Sequence, residues 1–310
     1  HSLQHGRKRS GIARGPPSGE NWPMPELPEV EALAAFLREH LTGRVISKVE
    51  VAAVSALKSV APSPGELEGG SVTGVRRHGK WLDIEVEGRG HLVFHLAKAG
   101  WLRWRDALPA RPAAPGRGPL ALRVRLADST GFELTEAGTR KRLAVHIVPD
   151  PCDVPAIASL GIDPLAPEFT ADALAELLGE RNQQIKGLLR QQSAIAGIGN
   201  AYSDEILHAA RESPFAPTRS FDQARTAGLH AAITEVLTEA VAAAAGHPAA
   251  ELKDAKRAAM RVHGRTGKPC PVCGDVVREV SFADSFLNYC ATCQTDGKPL
   301  ADRRMSKLLR

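Results

Sequence analysis

The chain has 310 residues, 43% of them hydrophobic and 24% charged, with 40 Lys or Arg against 35 Asp or Glu for a formal net charge of +5. That supplies enough apolar material for two packed domains. No apolar run reaches the roughly 18 residues a bilayer span needs, and the first residues lack the charged-then-apolar layout of a secretory signal, so a cytoplasmic address is expected.

The small net charge hides clustering. Basic residues gather at Arg76-Arg77-His78-Gly79-Lys80, at Arg140-Lys141-Arg142, between Lys256 and Lys268, and at Arg303-Arg304 with Lys307 and Arg310. Clustered cations suggest a polyanionic partner, nucleic acid first, because neutralising phosphates releases counterions. An ordinary solvated surface is the alternative for any single run.

Residues 1–23 show no apolar periodicity and are rich in Gly, Pro, Ser and Arg, so a disordered or extraneous leader is expected. From Met24 the pattern turns helical, with Val30, Leu33, Leu37 and Leu41 on one face and Pro28 suited to the first turn. Between about residues 44 and 149 it changes to strands: Leu120, Leu122, Val124 and Leu126 alternate, as do Leu143, Val145 and Ile147, and Trp81, Ile84 and Val86 support another. This half reads as an antiparallel β-sandwich or barrel, interrupted by the proline-rich loop 108–119. A proline-rich linker follows. After Thr170 the chain reads as helical, with a capping box at Ser220-Phe221-Asp222-Gln223 opening a long alanine-rich helix that stops at Gly246. Two glycines and an asparagine in Gly197-Ile198-Gly199-Asn200 predict a tight turn between helices.

Four of the five cysteines form Cys270-Pro-Val-Cys273 and Cys290-Ala-Thr-Cys293. That spacing lets two knuckles present four thiolates to one structural Zn2+. Two disulfides are the alternative and need an oxidising compartment that nothing in the sequence supports. Cys152 reads as an ordinary free thiol.

Five stretches occur in one order: MPELPEVE at 24–31, RRHGKWL at 76–82, FHLAKAG at 94–100, GIGNAYSDEIL at 197–207 and the four-cysteine segment. Together they resemble the formamidopyrimidine-DNA glycosylase and endonuclease VIII family over residues 24–294. The resemblance implies an α+β multidomain protein. It would comprise an N-terminal antiparallel β-sandwich flanked by helices (24–149), a linker (150–169), a helix-two-turn-helix DNA-binding domain (170–262), a zinc-finger hairpin (263–294) and a basic tail (295–310). It further implies a bifunctional repair enzyme, N-glycosylase and AP lyase, acting on damaged double-stranded DNA at the bacterial nucleoid. A monomer is expected, as no apolar patch for association stands out.

A nucleophile that forms a Schiff base must be an unprotonated amine, and an α-amino group near ~7.7 is far more available at neutral pH than a lysine near ~10.4. By the resemblance Pro25 supplies that amine once Met24 is removed, Glu26 acts as general acid on the sugar oxygen, Glu29 orients the site, and Lys80 assists base loss and elimination. Asn200 and Lys186 would bind phosphates, and His95, Lys98, Arg140 and Arg142 would make further DNA contacts. Taken singly, Glu26 and Glu29 read equally as acids at a helix start, Lys80 as a strand-edge charge, and Asn200 as a turn residue.

Several positions depart from the family pattern. In the full chain the Pro25 nitrogen is an amide, so a start at Met24 is expected, with Gly19-Glu20 encodable by a purine-rich ribosome-binding site. Lys98 stands where the family inserts a methionine, Thr139-Arg140-Lys141-Arg142-Leu143 replaces an arginine and phenylalanine wedge, with Arg142 and Leu143 as substitutes, and Ser285 replaces a finger arginine. The expectation is a lyase on abasic sites with weak or unusual glycosylase activity that stops after β-elimination. A catalytically silent damage-binding protein of the same fold and a zinc-ribbon adaptor for RNA are the competing classes.

Overall fold

A computed structural model describes residues 24–301 apart from Arg117, Thr139, Ala283 and Asp284; the expected leader and the basic tail from residue 302 onward lie outside the described residues. Helix α1 (Leu27–Leu41) forms where apolar residues recur at helical spacing, and Val30, Leu33, Leu37 and Leu41 are buried along it. Pro28 occupies its first turn, where a missing N–H loses no partner. Glu29 closes the end by accepting the Glu26 backbone N–H at 2.8 Å.

Eight strands follow: β1 (Ile46–Val51), β2 (Val72–His78), β3 (Trp81–Val86), β4 (Gly90–His95), β5 (Gly100–Arg105), β6 (Leu120–Leu126), β7 (Gly131–Glu136) and β8 (Ala144–Val148). They make two antiparallel four-stranded sheets, in the orders β1-β6-β7-β5 and β2-β3-β4-β8. The apolar faces close on each other as the expected sandwich, with Phe94 of β4 and Phe132 of β7 meeting across it at 6.1 Å between ring centroids. The proline-rich loop 108–119 stays outside the strands, since proline has no N–H for a ladder.

The second lobe contains α2 (Pro155–Ala158), α3 (Ala171–Glu180), α4 (Ile185–Arg190), α5 (Asn200–Ala209), α6 (Gln223–Ala244) and α7 (Leu252–Ala259). Thr170 caps α3 by accepting the Ala173 N–H at 3.1 Å. The capping box expected at Ser220 does not form, and the start of α6 lies two residues further on, at a simple cap. Thr218–Ser220 closes a short 3-10 turn in which the Ser220 hydroxyl donates back to the Pro217 carbonyl at 2.7 Å, leaving Asp222 to cap α6 by accepting the Arg225 N–H at 2.8 Å.

The lobes interlock at the start of α1. Leu27 packs into the helical core with Ile198 and Tyr202, and its N–H donates to the Gly197 carbonyl at 3.0 Å. On the other side Trp101 of β5 donates from Nε1 to the Ala249 carbonyl at 2.9 Å, and Leu252 of α7 packs into the sandwich core. The finger hairpin, β9 (Val277–Ser281) and β10 (Phe286–Cys290) with the short α8 (Ala291–Gln294), attaches beside α5.

Candidate active site and metal centre

The first N–H groups of a helix have no carbonyl within that helix to bond. At α5 that need is met by Glu26, whose carboxylate accepts the N–H groups of Gly199 at 2.7 Å, Ala201 at 2.9 Å and Tyr202 at 3.2 Å. A negative charge at the positive end of a helix is also favourable electrostatically. Close approach dictates both glycines of the turn: a Cβ at Gly199 would fall 2.4 Å from the Glu26 carboxyl carbon, and one at Gly197, where φ is +91°, would fall 2.7 Å from the Leu27 Cβ. Burial raises the Glu26 pKa, but Lys256, Lys80 and the Ala201 N–H outweigh it and hold the carboxyl at about 2. The general-acid role expected of Glu26 therefore meets a physical objection: at neutral pH this group is an ionised acceptor.

Glu29, one turn along α1, accepts the Tyr202 hydroxyl at 2.8 Å and Lys256 Nζ at 2.8 Å. Lys256 Nζ also lies 3.8 Å from a Glu26 oxygen, 3.3 Å from the Met24 carbonyl oxygen and 4.7 Å from the Tyr202 ring centroid. Sequence reasoning grouped Lys256 with a surface basic run; the structure buries it inside the site. The signal was its spacing of four from Leu252 on α7, which places both on the buried face. Lys80, at the β2–β3 turn, is 8% exposed, and burial lowers its pKa to about 8 against the pull of Glu26. Pro25 is buried at the same point. Pro25, Glu26, Glu29 and Lys80 thus come together as one centre, with Tyr202 and Lys256 added by the fold.

The residues expected to contact DNA divide into two groups. Lys98 is exposed on the turn between β4 and β5, and Arg140 and Arg142 are exposed on the loop after β7. These loops adjoin, the Ala137 N–H donating to the Ala99 carbonyl at 3.2 Å. His95 accepts the Ala97 N–H on Nδ1 at 3.1 Å, and burial with Lys80 nearby pushes its pKa to about 4, so its ring is neutral with the hydrogen on Nε2. Leu143 is 1% exposed within the sandwich core and is no substitute for a wedge, because leaving the core would empty its packing site.

Lys186 and Asn200 face inward. Lys186 Nζ reaches Asp204 Oδ1 at 2.5 Å, Ser203 Oγ at 2.7 Å and the Asn200 carbonyl at 3.2 Å. Asn200 donates from Nδ2 to the Phe286 carbonyl of the finger at 2.7 Å, while its Oδ1 has no partner among the described residues. Asp204, fully buried, also accepts His263 Nδ1 at 2.7 Å and the Asn288 N–H at 3.1 Å. This network, which joins α5 to the finger, was not foreseen. Acidic residues of a helix interior carry no sequence mark of burial.

The Sγ atoms of Cys270, Cys273, Cys290 and Cys293 lie within 4.8 Å of one another. The Cys273–Cys290 and Cys270–Cys293 separations of 3.3 and 3.8 Å are far beyond a disulfide at about 2.05 Å. Four thiolates so disposed suit zinc, and the disulfide alternative falls. His208 of α5, also unforeseen, brings Nε2 to 3.2 Å from Cys270 Sγ, the kind of contact that orients a ligand.

A β-sandwich docked through one helix onto a helical lobe, with a lysine-carboxylate centre at the junction and a four-thiolate zinc finger beside it, defines a narrow class of protein. Residues 24–145 match the formamidopyrimidine-DNA glycosylase N-terminal domain, residues 160–250 its H2TH domain, and residues 267–295 the zinc finger found in FPG and IleRS. The chain belongs to the formamidopyrimidine-DNA glycosylase family. It is 35% identical to the formamidopyrimidine-DNA glycosylase of Symbiobacterium thermophilum, covering 91% of this chain and 93% of that one. It is 54% identical over 156 residues, half of this chain and 98% of the other, to an uncharacterized formamidopyrimidine-DNA glycosylase-like protein of Mycobacterium tuberculosis. Similar solved structures include the MutM (Fpg) protein of Thermus thermophilus, with TM-score 0.75, 29% identity and coverage of 89% and 100%. Another is a Lactococcus lactis FPG mutant in complex with Fapy-dG-containing DNA, with TM-score 0.76, 26% identity and coverage of 87% and 100%. Among the described residues no helix is long and apolar enough to cross a membrane.

Proposed function

We propose that this chain is a base-excision repair enzyme, a DNA glycosylase and AP lyase that works from the nitrogen of Pro25 once residues 1–24 are gone. The observation that carries this reading is the surroundings of that nitrogen. An ionised Glu26 is pinned on a helix N-terminus, with Lys80 and Lys256 facing it, at the junction of two lobes. Relatives of the same architecture are described in complex with Fapy-dG DNA and with abasic-site DNA.

In the proposed reaction the Pro25 secondary amine attacks C1′ of an everted nucleotide as the bond to the base breaks, its electrons leaving with the base, which takes up a proton; the nitrogen then gives up its own proton, and its lone pair opens the C1′–O4′ bond, O4′ taking up a proton, to leave an iminium. The resulting iminium acidifies C2′. A base removes that proton, the C–H electrons form the C2′–C3′ double bond, and the 3′ phosphate departs. Water then hydrolyses the iminium and restores the amine. Glu26 contributes as a fixed negative charge that favours the cationic intermediate. Proton transfer falls to Lys80, because a pKa of about 8 is matched to neutral pH. Glu29 holds Lys256 and Tyr202 in place.

One zinc ion, held by Cys270, Cys273, Cys290 and Cys293, serves to fold the hairpin, where small segments lack a core of their own. Lys98, Arg140 and Arg142 engage phosphates, while Asn200 and Lys186 act mainly by fixing the joint between α5 and the finger.

The test is borohydride trapping on a duplex with one abasic site, comparing the chain that begins at Pro25 with the full chain. An adduct with the shorter form alone is expected. Tight binding with no adduct from either form would make this a silent damage-binding protein.

A further inference from the structure

Lys256 is a buried cation that the scheme above does not use chemically. Its Nζ sits 3.3 Å from the Met24 carbonyl oxygen. That carbonyl carbon is bonded to the Pro25 nitrogen, and with bonds of about 1.2 and 1.3 Å the ammonium lies within ~6 Å of the nucleophilic atom. We infer that Lys256 is a positioning residue whose fixed ammonium keeps the Pro25 amine unprotonated and reactive near neutral pH. The inference rests on Pro25 being the nucleophile.

The electrostatics follow from the charged and titratable groups that surround this centre. From α1 come the carboxylates of Glu26 and Glu29, which by themselves favour a protonated, unreactive prolinium. From the β2–β3 turn comes Lys80, from α4 Lys186 and the more distant Arg190, from α5 Tyr202 and Glu205, and beyond α7 His263. The Tyr202 phenol stays neutral because burial and Glu29 push its pKa up. Lys186 is already paired with Asp204. Lys256 sits directly against both carboxylates, at 2.8 Å from Glu29 and 3.8 Å from Glu26, and with Lys80 offsets their charge beside the nitrogen. A neighbouring cation is a known means of freeing an amine for Schiff-base chemistry.

Lys256 is also built to remain charged and still. Burial opposes its charge, but Glu26 and Glu29 outweigh burial and raise its pKa. The Tyr202 ring covers the ammonium at 4.7 Å, and the Tyr202 hydroxyl is tied to the same Glu29. With Met24 gone, the ammonium loses one acceptor but keeps both carboxylates. It stays beside the freed amine.

The test is the pH profile of borohydride trapping between about pH 5 and about pH 9, using chains that begin at Pro25. Lys256→Met and Lys256→Gln remove the charge, the second keeping a donor to Glu29 if the first fails to fold, and Lys256→Arg retains it. A like charge removed at this distance is expected to raise the acid-side midpoint by about one unit or more. The neutral variants would then trap about tenfold less at the foot of the profile and recover at higher pH, while Lys256→Arg keeps the wild-type midpoint. An unchanged midpoint in a folded neutral variant overturns the inference, as does loss of trapping at every pH with unchanged thermal stability. No trapping by the wild-type Pro25 chain at any pH overturns the Pro25 reading itself.

Discussion

The Glu26 carboxylate fills the space that any side chain at Gly199 would need: a Cβ there would lie 2.4 Å from the carboxyl carbon and 2.6 and 2.7 Å from its oxygens. The carboxylate is buried and bonded to three N–H groups, so it has no low-cost way to yield. Gly199→Ala is expected to dislodge Glu26 and lower trapping by about 100-fold, the size of effect that a 1 Å misplacement produces. Circular dichroism should show the fold retained; an alanine variant that traps at the wild-type rate would remove Glu26 from the mechanism.

The pH dependence of stability carries a sign that can be checked. Glu26 is depressed from 4.5 to about 2, so its stabilisation is present above about pH 4.5 and is lost as pH falls through 2, amounting to about 3 kcal/mol by linkage. Denaturant titrations of Glu26→Gln against wild type should differ at neutral pH and converge toward pH 2. A gap independent of pH would mean that packing, not ionisation, is responsible.

Lys186 and Asp204 form a buried pair at 2.5 Å. Removing one partner leaves the other charged and unsatisfied, so Lys186→Met is expected to cost about 3–5 kcal/mol, seen as a lowered thermal midpoint. A variant of normal stability with a flattened salt dependence of DNA binding would return Lys186 to the phosphate role that its motif suggests.

Lys98, Arg140 and Arg142 are exposed and should behave differently. Alanine at Lys98 or Arg142 is expected to leave the melting temperature unchanged and to reduce the slope of log K against log salt by about one each. Leu143→Ala, by contrast, empties a core site and is expected to cost about 2–5 kcal/mol. Fluorescence anisotropy with a labelled duplex, paired with thermal melts, separates the two classes.

Removing the metal is expected to unfold residues 267–295 while the sandwich stays intact, because the finger has its own small cluster of Val262, Cys270, Val277 and Cys290. Chelation or Cys273→Ser should speed hydrogen exchange across β9, β10 and the Asn200–Phe286 link, with DNA affinity falling in parallel. Protection that survives chelation would make the ion dispensable to the fold.

Much of this protein was legible in its sequence. The apolar periods of α1 and β6, the proline-rich loop 108–119 and the cysteine spacing are local signals, since helix, strand and metal knuckle are each decided by residues a few positions apart. The motifs around Pro25, Lys80 and Asn200 likewise pointed to the right family. What the sequence could not decide is which charged groups are spent on one another. Lys256 is 230 residues from Glu26 in sequence (256 minus 26), yet shares its pocket. Lys186 is claimed by Asp204 on the next helix, Leu143 is claimed by the sandwich core, and Glu26 becomes an ionised cap for a helix 174 residues downstream (200 minus 26). A residue's charge, exposure and proton affinity depend on neighbours brought within a few ångströms by chain folding, and only the tertiary structure supplies those neighbours.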